Sequence, residues 1–506
     1  AMPWSTVAHA DPADIAATAR SVVRVVLVAN QDGQLSLIGH GSGVAIAPDL
    51  ILTNAHVVAP AEEYGQISIG IVPSQGRKSG WFARILGVSP RNDLALLKLT
   101  EPGSLPVATL FTGAVDDGAD VYAVGYPGNV DMAQGLNIGD IVSPTPPVKT
   151  RGNVSAGRSS KQFDTILHTA PIGSGNSGGP LLDACGRIVG INSFGALSGE
   201  SDSEFYFAVS MREVSRFLLA AKVQPQTTGV ACRSNAELDR AEAERLAGEQ
   251  FRSDEAARAD AARRGAAMED ARRQAQFAVI GERENRMALT GLALLLALAS
   301  AGAGIVFQQK GREREMKIAA GGCILLLLAG AAAWLSRPSL NEIEDRAGAL
   351  AAKGQPSAAA SHAAPATAAG ELACVLDTAR SRVTVSETTD VPLNWRADGC
   401  VNGQTQYGHD SSGWSRILVP EGDDAVRVAS FDPASATYRT DRYFPASDDM
   451  DKLRAARARI KAPACGAGGE AAGALGREQD ALRAMLPATA NERLVYRCQK
   501  AAAPAP

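Results

Sequence analysis

The sequence predicts an all-β barrel or sandwich joined, through a helical stalk and an apolar helical hairpin, to a small α+β domain. Three observations carry that prediction. Residues 14–230 hold many short β-branched and alternating apolar runs separated by turn residues, the pattern of an all-β domain. Residues 234–286 are Ala, Arg, Glu and Asp with almost no Gly or Pro, a helix-forming composition. Residues 287–307 and 318–336 then run 21 and 19 positions without a charge.

Taken in order, residues 1–13 hold Ala8-His9-Ala10 followed by Asp11-Pro12. This reads either as the A-x-A end of a secretory signal peptide or as a disordered start. A short helical pattern begins at 14, and strands are expected at 22–28, 43–47, 66–72, 81–88, 94–99 and 121–125. The stretch 131–163 reads as long loops, with Pro144, Pro146 and Pro147 interrupting any strand. Residues 210–222 form a helical pattern with Ser210 at the N-cap position. Apolar residues in 234–286 are too sparse for a heptad seam, so the stalk is expected to be solvated.

Each uncharged run is long enough to cross about 30 Å of hydrocarbon as a helix, and their Gly and Ala content suits close helix packing in lipid. The loop 308–317 carries Lys310, Arg312, Arg314 and Lys317, which places it on the cytoplasmic side. Arg272, Arg273, Arg283 and Arg286 argue the other way. The signal-like start and the cysteines decide for a bacterial inner-membrane protein with both globular domains in the periplasm. Residues 337–370, rich in Ala, Pro, Gly and Ser, read as a flexible linker. Residues 371–500 read as the α+β domain, with strands at 381–386, 416–419, 425–431 and 493–497 and helices at 449–461 and 469–485. Its Trp395, Tyr407, Trp414 and Arg416 suit a ligand site, although core packing is the commoner fate of tryptophan.

Net charge is −4, so no global field points to nucleic acid. Of seven cysteines, Cys323 sits in an apolar run as a free thiol, leaving six for three disulfides. Cys185 and Cys232 either pair, tying the end of the first domain back to its body, or stay as two thiols. Cys374, Cys400, Cys465 and Cys498 allow three connectivities, Cys374–Cys400 with Cys465–Cys498 among them. With no His/Cys/carboxylate cluster at ligand spacing, no metal or other cofactor is implied.

Chemistry concentrates in three stretches. Gly175-Asn176-Ser177-Gly178-Gly179-Pro180 puts a hydroxyl on a sharp turn whose glycines let a substrate carbonyl approach the backbone. A serine needs a base and oxyanion donors to act as a nucleophile, and the N–H groups of Gly175 and Ser177 are the candidate donors. Thr53-Asn54-Ala55-His56-Val57-Val58 supplies His56 as the base, and Asp93 stands at the mouth of the apolar strand 94–99. The order His, Asp, Ser is that of the chymotrypsin-type arrangement.

At these residues the chain resembles the trypsin-like serine proteases, most closely their HtrA (Deg) branch, through TNAHVV, DLALLK and GNSGGP. The resemblance covers roughly 14–222 and implies two six-stranded barrels with His56, Asp93 and Ser177 in the crevice between them. It also implies a primary pocket floored by Pro171 and Ile172, walled by Ser193, Phe194 and Gly195 and closed near Ala208. No acid stands there, so cleavage after Val, Ala or Leu is expected rather than after Lys or Arg. The family's loops near 131–163 help form the oxyanion hole, and its frequent trimers imply a homo-oligomer. Nothing after 222 resembles the PDZ domain usual in that branch.

The expected function is a membrane-anchored serine endopeptidase acting on protein or peptide substrates, in periplasmic quality control or regulated proteolysis. Two other readings stay open: a catalytically silent membrane-tethered sensor or scaffold, and a cytoplasm-facing stress or defence protease.

Overall fold

Helix α1 (Pro12–Ala19) leads into six antiparallel strands: β1 (Val22–Gln31), β2 (Gln34–Ala47), β3 (Leu50–Thr53), β4 (Ile67–Pro73), β5 (Trp81–Ser89) and β6 (Leu94–Leu99). They close in the order β1-β2-β3-β6-β5-β4. Period-two alternation divides their side chains between two cores. Val23, Val25, Leu27, Ile51, Ile71 and Leu97 fill the barrel, whereas Val22, Val44, Leu52, Leu94 and Leu96 pack outward against the next domain half. Each such side chain stabilises the fold by roughly 1.5–3 kcal/mol. Helix α2 (Ala55–Glu63) follows β3 directly. The computed structural model from which these elements come describes residues 12–31, 34–76, 78–159, 163–196, 204–354, 369–411, 413–422 and 424–501, so the signal-like start at 8–10 lies outside it.

The second half contains β7 (Leu110–Phe111), β8 (Asp120–Gly125), helices α3 (Gly128–Ala133) and α4 (Ile138–Ile141), and strands β9 (Val148–Ser159), β10 (Asp164–His168), β11 (Pro180–Asp183), β12 (Ile188–Gly195) and β13 (Tyr206–Ser210). Strands β11-β8-β9-β10-β13-β12 close into a second six-stranded ring through the β11–β12 pairing. Helix α5 (Met211–Ala220) buries Val214, Phe217 and Leu218 on it, and β14 (Thr227–Thr228) joins β7 beside β12. The double six-stranded barrel expected from the sequence is present.

The stretch 131–163 corrects the loop expectation. It carries α4 and the 12-residue strand β9, which pairs with both β8 and β10. Pro144, Pro146 and Pro147 stop just before β9 begins, where a missing N–H removes no ladder bond.

Helix α6 (Asn235–Gln309) runs 75 residues, about 110 Å at 1.5 Å per residue. It fuses the expected stalk and first apolar run into one element. Helix α7 (Glu313–Leu335) returns beside it, packing small residues closely. The Ser300 hydroxyl donates to the Ala319 carbonyl at 2.9 Å, and a Cβ at Gly330 would stand 3.4 Å from Ala293 Cβ. The linker expectation needs a second correction, because Glu342–Gly354 forms helix α8. Ala347 and Ala351 are buried, as are Ala271, Ala275 and Val279 of α6, while Arg346 pairs with Glu282 and Arg272 with Glu344.

The carboxy-terminal domain is a nine-stranded antiparallel sheet: β15 (Gly370–Leu376), β16 (Val391–Trp395), β17 (Cys400–Val401), β18 (Thr405–Gln406), β19 (Gly408–Asp410), β20 (Gly413–Leu418), β21 (Val426–Asp432), β22 (Thr437–Tyr443) and β23 (Glu492–Lys500). Their order is β18-β17-β16-β15-β23-β22-β21-β20-β19. Helices α9 (Ser447–Ala458) and α10 (Gly469–Arg483) supply Met450, Leu453 and Leu482 to a core with Ile417 and Val426. Trp395, Tyr407 and Trp414 belong to a second core, where Trp395 meets both others edge-on. Arg416 is buried on β20. The strand expected at 381–386 is a single bridge, Arg382 to Arg493. The N–H groups of Thr384 and Ser386 instead donate to the Glu492 carboxylate, each at 2.7 Å.

Three disulfides form. Cys185 pairs with Cys232, as the sequence allowed. In the carboxy-terminal domain the pairs are Cys374–Cys498, facing each other across β15 and β23, and Cys400–Cys465, rather than Cys374–Cys400 with Cys465–Cys498. Cys323 is free.

This domain docks on the double barrel. Asp14 of α1 forms a buried ion pair with Arg382 and accepts a bond from the Asn491 amide at 3.1 Å. Arg382 Nε donates to the Arg233 carbonyl at 2.9 Å, and Asn235 Nδ2 donates to the Ala490 carbonyl at 3.0 Å.

Candidate active site

His56 sits in the first turn of α2, immediately after β3, and Asp93 caps the entry to β6. Antiparallel pairing of β3 with β6, with Thr53 opposite Ala95, brings the two together. Asp93 adopts a left-handed φ of 52°, which short polar residues tolerate best. Its carbonyl accepts from Asn54 Nδ2 at 2.7 Å, fixing the turn. The carboxylate then receives the His56 ring: Nδ1 lies 3.0 and 2.9 Å from the two oxygens, and the His56 backbone N–H donates to Oδ1 at 3.1 Å. A carboxylate only accepts, so Nδ1 carries the proton and Nε2 is left as the base.

The Ser193 hydroxyl also donates to Asp93, at 2.5 Å. Burial pushes the Asp93 carboxyl up, but the bonds from His56 and Ser193 outweigh it and hold the group below its ordinary value. Asp93 is therefore ionised at neutral pH, facing an imidazole whose side chain is 52% exposed.

Ser177 arrives from the second ring, on the loop between β10 and β11. Its carbonyl accepts from the Ser42 N–H at 2.9 Å, and the Gly178 N–H donates to Asn192 at 2.9 Å, so the loop is stitched to β2 and to β12 together. Gly178 has φ +88°, and a Cβ there would stand 2.1 Å from the Ser42 carbonyl oxygen. Gly175 has φ +100°, with a hypothetical Cβ 2.3 Å from the Tyr126 oxygen. Both positions require glycine. The Ser177 hydroxyl donates to the Ser193 carbonyl at 2.9 Å. Ser193 thus touches both Ser177 and Asp93, a double role that its expected place in a pocket wall did not suggest.

The other pocket candidates separate. Pro171 is exposed, its carbonyl accepting from the Thr150 hydroxyl at 2.6 Å. Ile172 is half-buried against the second ring's core. Phe194 is 45% exposed and stacks on Phe207 with centroids 4.9 Å apart, and Gly195 is exposed beside Tyr206. Ala208 is fully buried in that core, behind any open surface.

Sequence reasoning missed the support of the serine loop. The Ser42 hydroxyl donates to the Gly175 carbonyl at 2.7 Å and accepts from the Tyr126 N–H at 2.9 Å, and the Gly128 N–H donates to the Ser174 carbonyl at 2.7 Å. The small-residue run Gly41-Ser42-Gly43 is the one local hint of such close approach. Among the described residues no cluster of three His, Cys, Asp or Glu side chains is placed to hold a metal ion.

Residues 41–191, which span this arrangement, match the trypsin-like peptidase domain family. Serine protease HTRA1 of Xenopus tropicalis is 35% identical over 193 residues, covering 37% of this chain and 37% of that protein. A probable periplasmic serine endoprotease, DegP-like, of Pseudomonas fluorescens is 38% identical over 161 residues, 30% of this chain and 29% of that one. Serine protease HTRA4 of Homo sapiens is 34% identical over 182 residues, 35% and 34% respectively. The chain thus spans about a third of the length of each of these curated relatives. Over residues 41–191 its amino-terminal double barrel matches the trypsin-like peptidase domain family, and it is similar to the HtrA and DegP serine proteases.

Proposed function

We propose that the protein is a membrane-anchored serine endopeptidase in which Ser177, His56 and Asp93 form the catalytic triad. The observation that carries this reading is the two-oxygen clamp of Asp93 on His56 Nδ1, which leaves Nε2 as base beside a serine held on a glycine turn. On substrate binding the Ser177 hydroxyl swings from the Ser193 carbonyl to His56 Nε2, a tightening common when a free site fills. Ser177 Oγ attacks the scissile carbonyl, and His56 takes its proton and delivers it to the leaving amine. Asp93 stabilises the imidazolium. The N–H groups of Gly175 and Ser177 hold the oxyanion. Water, activated by His56, then hydrolyses the acyl-enzyme.

Two helices with apolar windows of mean hydropathy 2.1 and 2.2 support the anchor. An even number of crossings puts both globular domains on one side, in keeping with their buried Asp14–Arg382 contact. The basic turn between the spans and the three disulfides favour the periplasmic side of a bacterial inner membrane for both. Substrates are proteins or peptides, cut after small or medium aliphatic residues since no acid stands near Pro171 and Ile172, in quality control or in regulated proteolysis of one target. A homo-oligomer fits the resemblance.

Purified full-length protein in detergent, incubated with casein beside Ser177→Ala, tests the reading. Degradation lost in the variant is the expected result. Equal inactivity in both, with no labelling of Ser177 by a fluorophosphonate, would make the fold a silent scaffold.

A further inference from the structure

The oxyanion role of the Gly175 N–H depends on which way one peptide unit faces. In a planar trans peptide the C=O and the following N–H point in opposite directions. Ser174 O is held by the Gly128 N–H at 2.7 Å, so the Gly175 N–H is turned away from residues 126–128. The next carbonyl, Gly175 O, is held by Ser42 Oγ, itself fixed by the Tyr126 N–H. Both controlling donors, Tyr126 and Gly128, therefore belong to the single turn that leads from β8 into α3.

That turn is gripped by His40 of β2. His40 Nε2 lies 3.0 Å from the Tyr126 carbonyl oxygen, which can only accept, so Nε2 carries the hydrogen. A Cβ at Gly128 would stand 3.3 Å from His40 Cε1, and one at Gly175 would stand 2.9 Å from His40 Nε2. The ring is thus packed against both the turn and the serine loop. Behind it, Asp131 Oδ2 lies 3.3 Å from Nε2, and Arg24 donates to Asp131 Oδ1 at 3.0 Å. All three side chains are largely buried, at 14% exposure for His40, 10% for Asp131 and 2% for Arg24. The Arg24 guanidinium also lies 4.6 Å from the centre of the Tyr126 ring. Among the described residues Arg24 Nη1 and Asp131 Oδ2 have no hydrogen-bond partner, so what holds the turn is the His40–Tyr126 bond itself, strengthened by its low-dielectric surroundings. Burial, with the Arg24 charge adding to it, keeps His40 below its ordinary pKa despite the Tyr126 carbonyl and Asp131, and so in the neutral, single-donor form near pH 7.

We propose that His40, braced by Asp131 and Arg24, is a positioning residue that aims the Gly175 N–H by fixing the Tyr126–Gly128 turn. It touches neither Ser177 nor His56 by hydrogen bond among the described residues. The proposal deepens the protease reading and rests on it for the word oxyanion, but the aiming itself is a structural statement that stands apart.

The test uses full-length protein in detergent, with His40→Ala and His40→Gln, the latter able to return an N–H to the Tyr126 carbonyl. Steady-state kinetics on a peptide substrate are read beside hydrogen exchange of the segments around 125–128 and 172–178. Losing an oxyanion donor outright lowers kcat by about 100- to 1000-fold. His40→Ala, which loosens rather than removes the donor, is expected to lower kcat by ~10- to 100-fold with KM within about threefold. Exchange in both segments should accelerate while the rest of the barrel is unchanged, and His40→Gln should restore most of both. Unchanged kcat and exchange in His40→Ala would overturn the proposal, as would a glutamine variant no better than alanine or exchange faster throughout the barrel. Should wild type show no Ser177-dependent hydrolysis, the protease reading fails, and the exchange comparison alone still decides whether His40 sets the loop.

Discussion

Two aspartates of the double barrel face cation-forming partners in opposite ways. Asp14 is fully buried and its partner Arg382 is 2% exposed, with the Asn491 amide as a further donor. Asp93 is 18% exposed in its side chain and its partner His56 is 52% exposed. A charge pair with both ends out of water is immobile, and breaking either end strands the other. A pair with one end in solvent can gain and lose a proton without dismantling its surroundings. Burial of the partner, not the kind of pair, separates a docking contact from a candidate catalytic one.

The largest effect that distinguishes them is on turnover. Asp93→Asn removes the carboxylate that fixes the His56 tautomer and is expected to lower kcat by ~10⁴-fold, with melting temperature little changed. A variant that instead unfolds would erase the contrast. Arg382→Met removes the cation facing the buried Asp14 carboxylate and should cost about 3–5 kcal/mol in denaturant unfolding, while hydrolysis per folded molecule persists. Pairing it with Asp14→Leu should recover part of that loss. The Cys185→Ser/Cys232→Ser variant sharpens the comparison from the covalent side. Losing this link beside the docking region should lower stability by about 2–4 kcal/mol, read in the same titration.

A third buried group acts only below neutral pH and leaves stability at pH 7 unchanged. His168 has no exposure and no well-placed hydrogen-bond partner for either ring nitrogen, and burial pushes its pKa down to about 4. Above pH 6.5 it is neutral whether folded or unfolded and adds nothing to pH dependence. Between 6.5 and about 4 the unfolded chain binds the proton and the folded one does not, so stability falls by up to about 1.4 kcal/mol per pH unit. His168→Phe should flatten that slope in melts recorded from pH 7 to 4.

An all-β domain was legible because period-two patterning governs both cores, and its division into two barrels followed from the resemblance that the three short motifs carry. What escaped the sequence did so for identifiable reasons. β9 was hidden by prolines that end before it starts and by its polar composition. Residues 381–386 look like a strand, but a carboxylate, Glu492, takes the N–H groups a neighbouring strand would have used. Helix α8 has a helix-forming composition of its own, with no proline and two glycines, which the Ala-, Pro- and Ser-rich stretch after it obscured; small residues and ion pairs pack it along α6. Cys374 and Cys498 are 124 positions apart yet adjacent across two strands, which spacing alone cannot reveal. At the candidate site, His56, Asp93 and Ser177 announced themselves through motifs. Ser42, Tyr126 and Gly128 did not, because two of the three act through backbone N–H groups that every residue except proline carries.

The polypeptide leaves the body made by the double barrel and the sheet domain after 242 and, among the described residues, is part of it again from 369. Among the described residues no disulfide spans that interval: one closes before it and two after. Severing the turn between α7 and the long helix that precedes it would therefore yield two separate polypeptides, held together by the Asp14–Arg382 contact and its neighbours and by the packing of α7 and α8 on α6. With no covalent tie across the cut, non-covalent contacts, the docking interface among them, decide whether a clipped molecule stays whole or sheds its sheet domain.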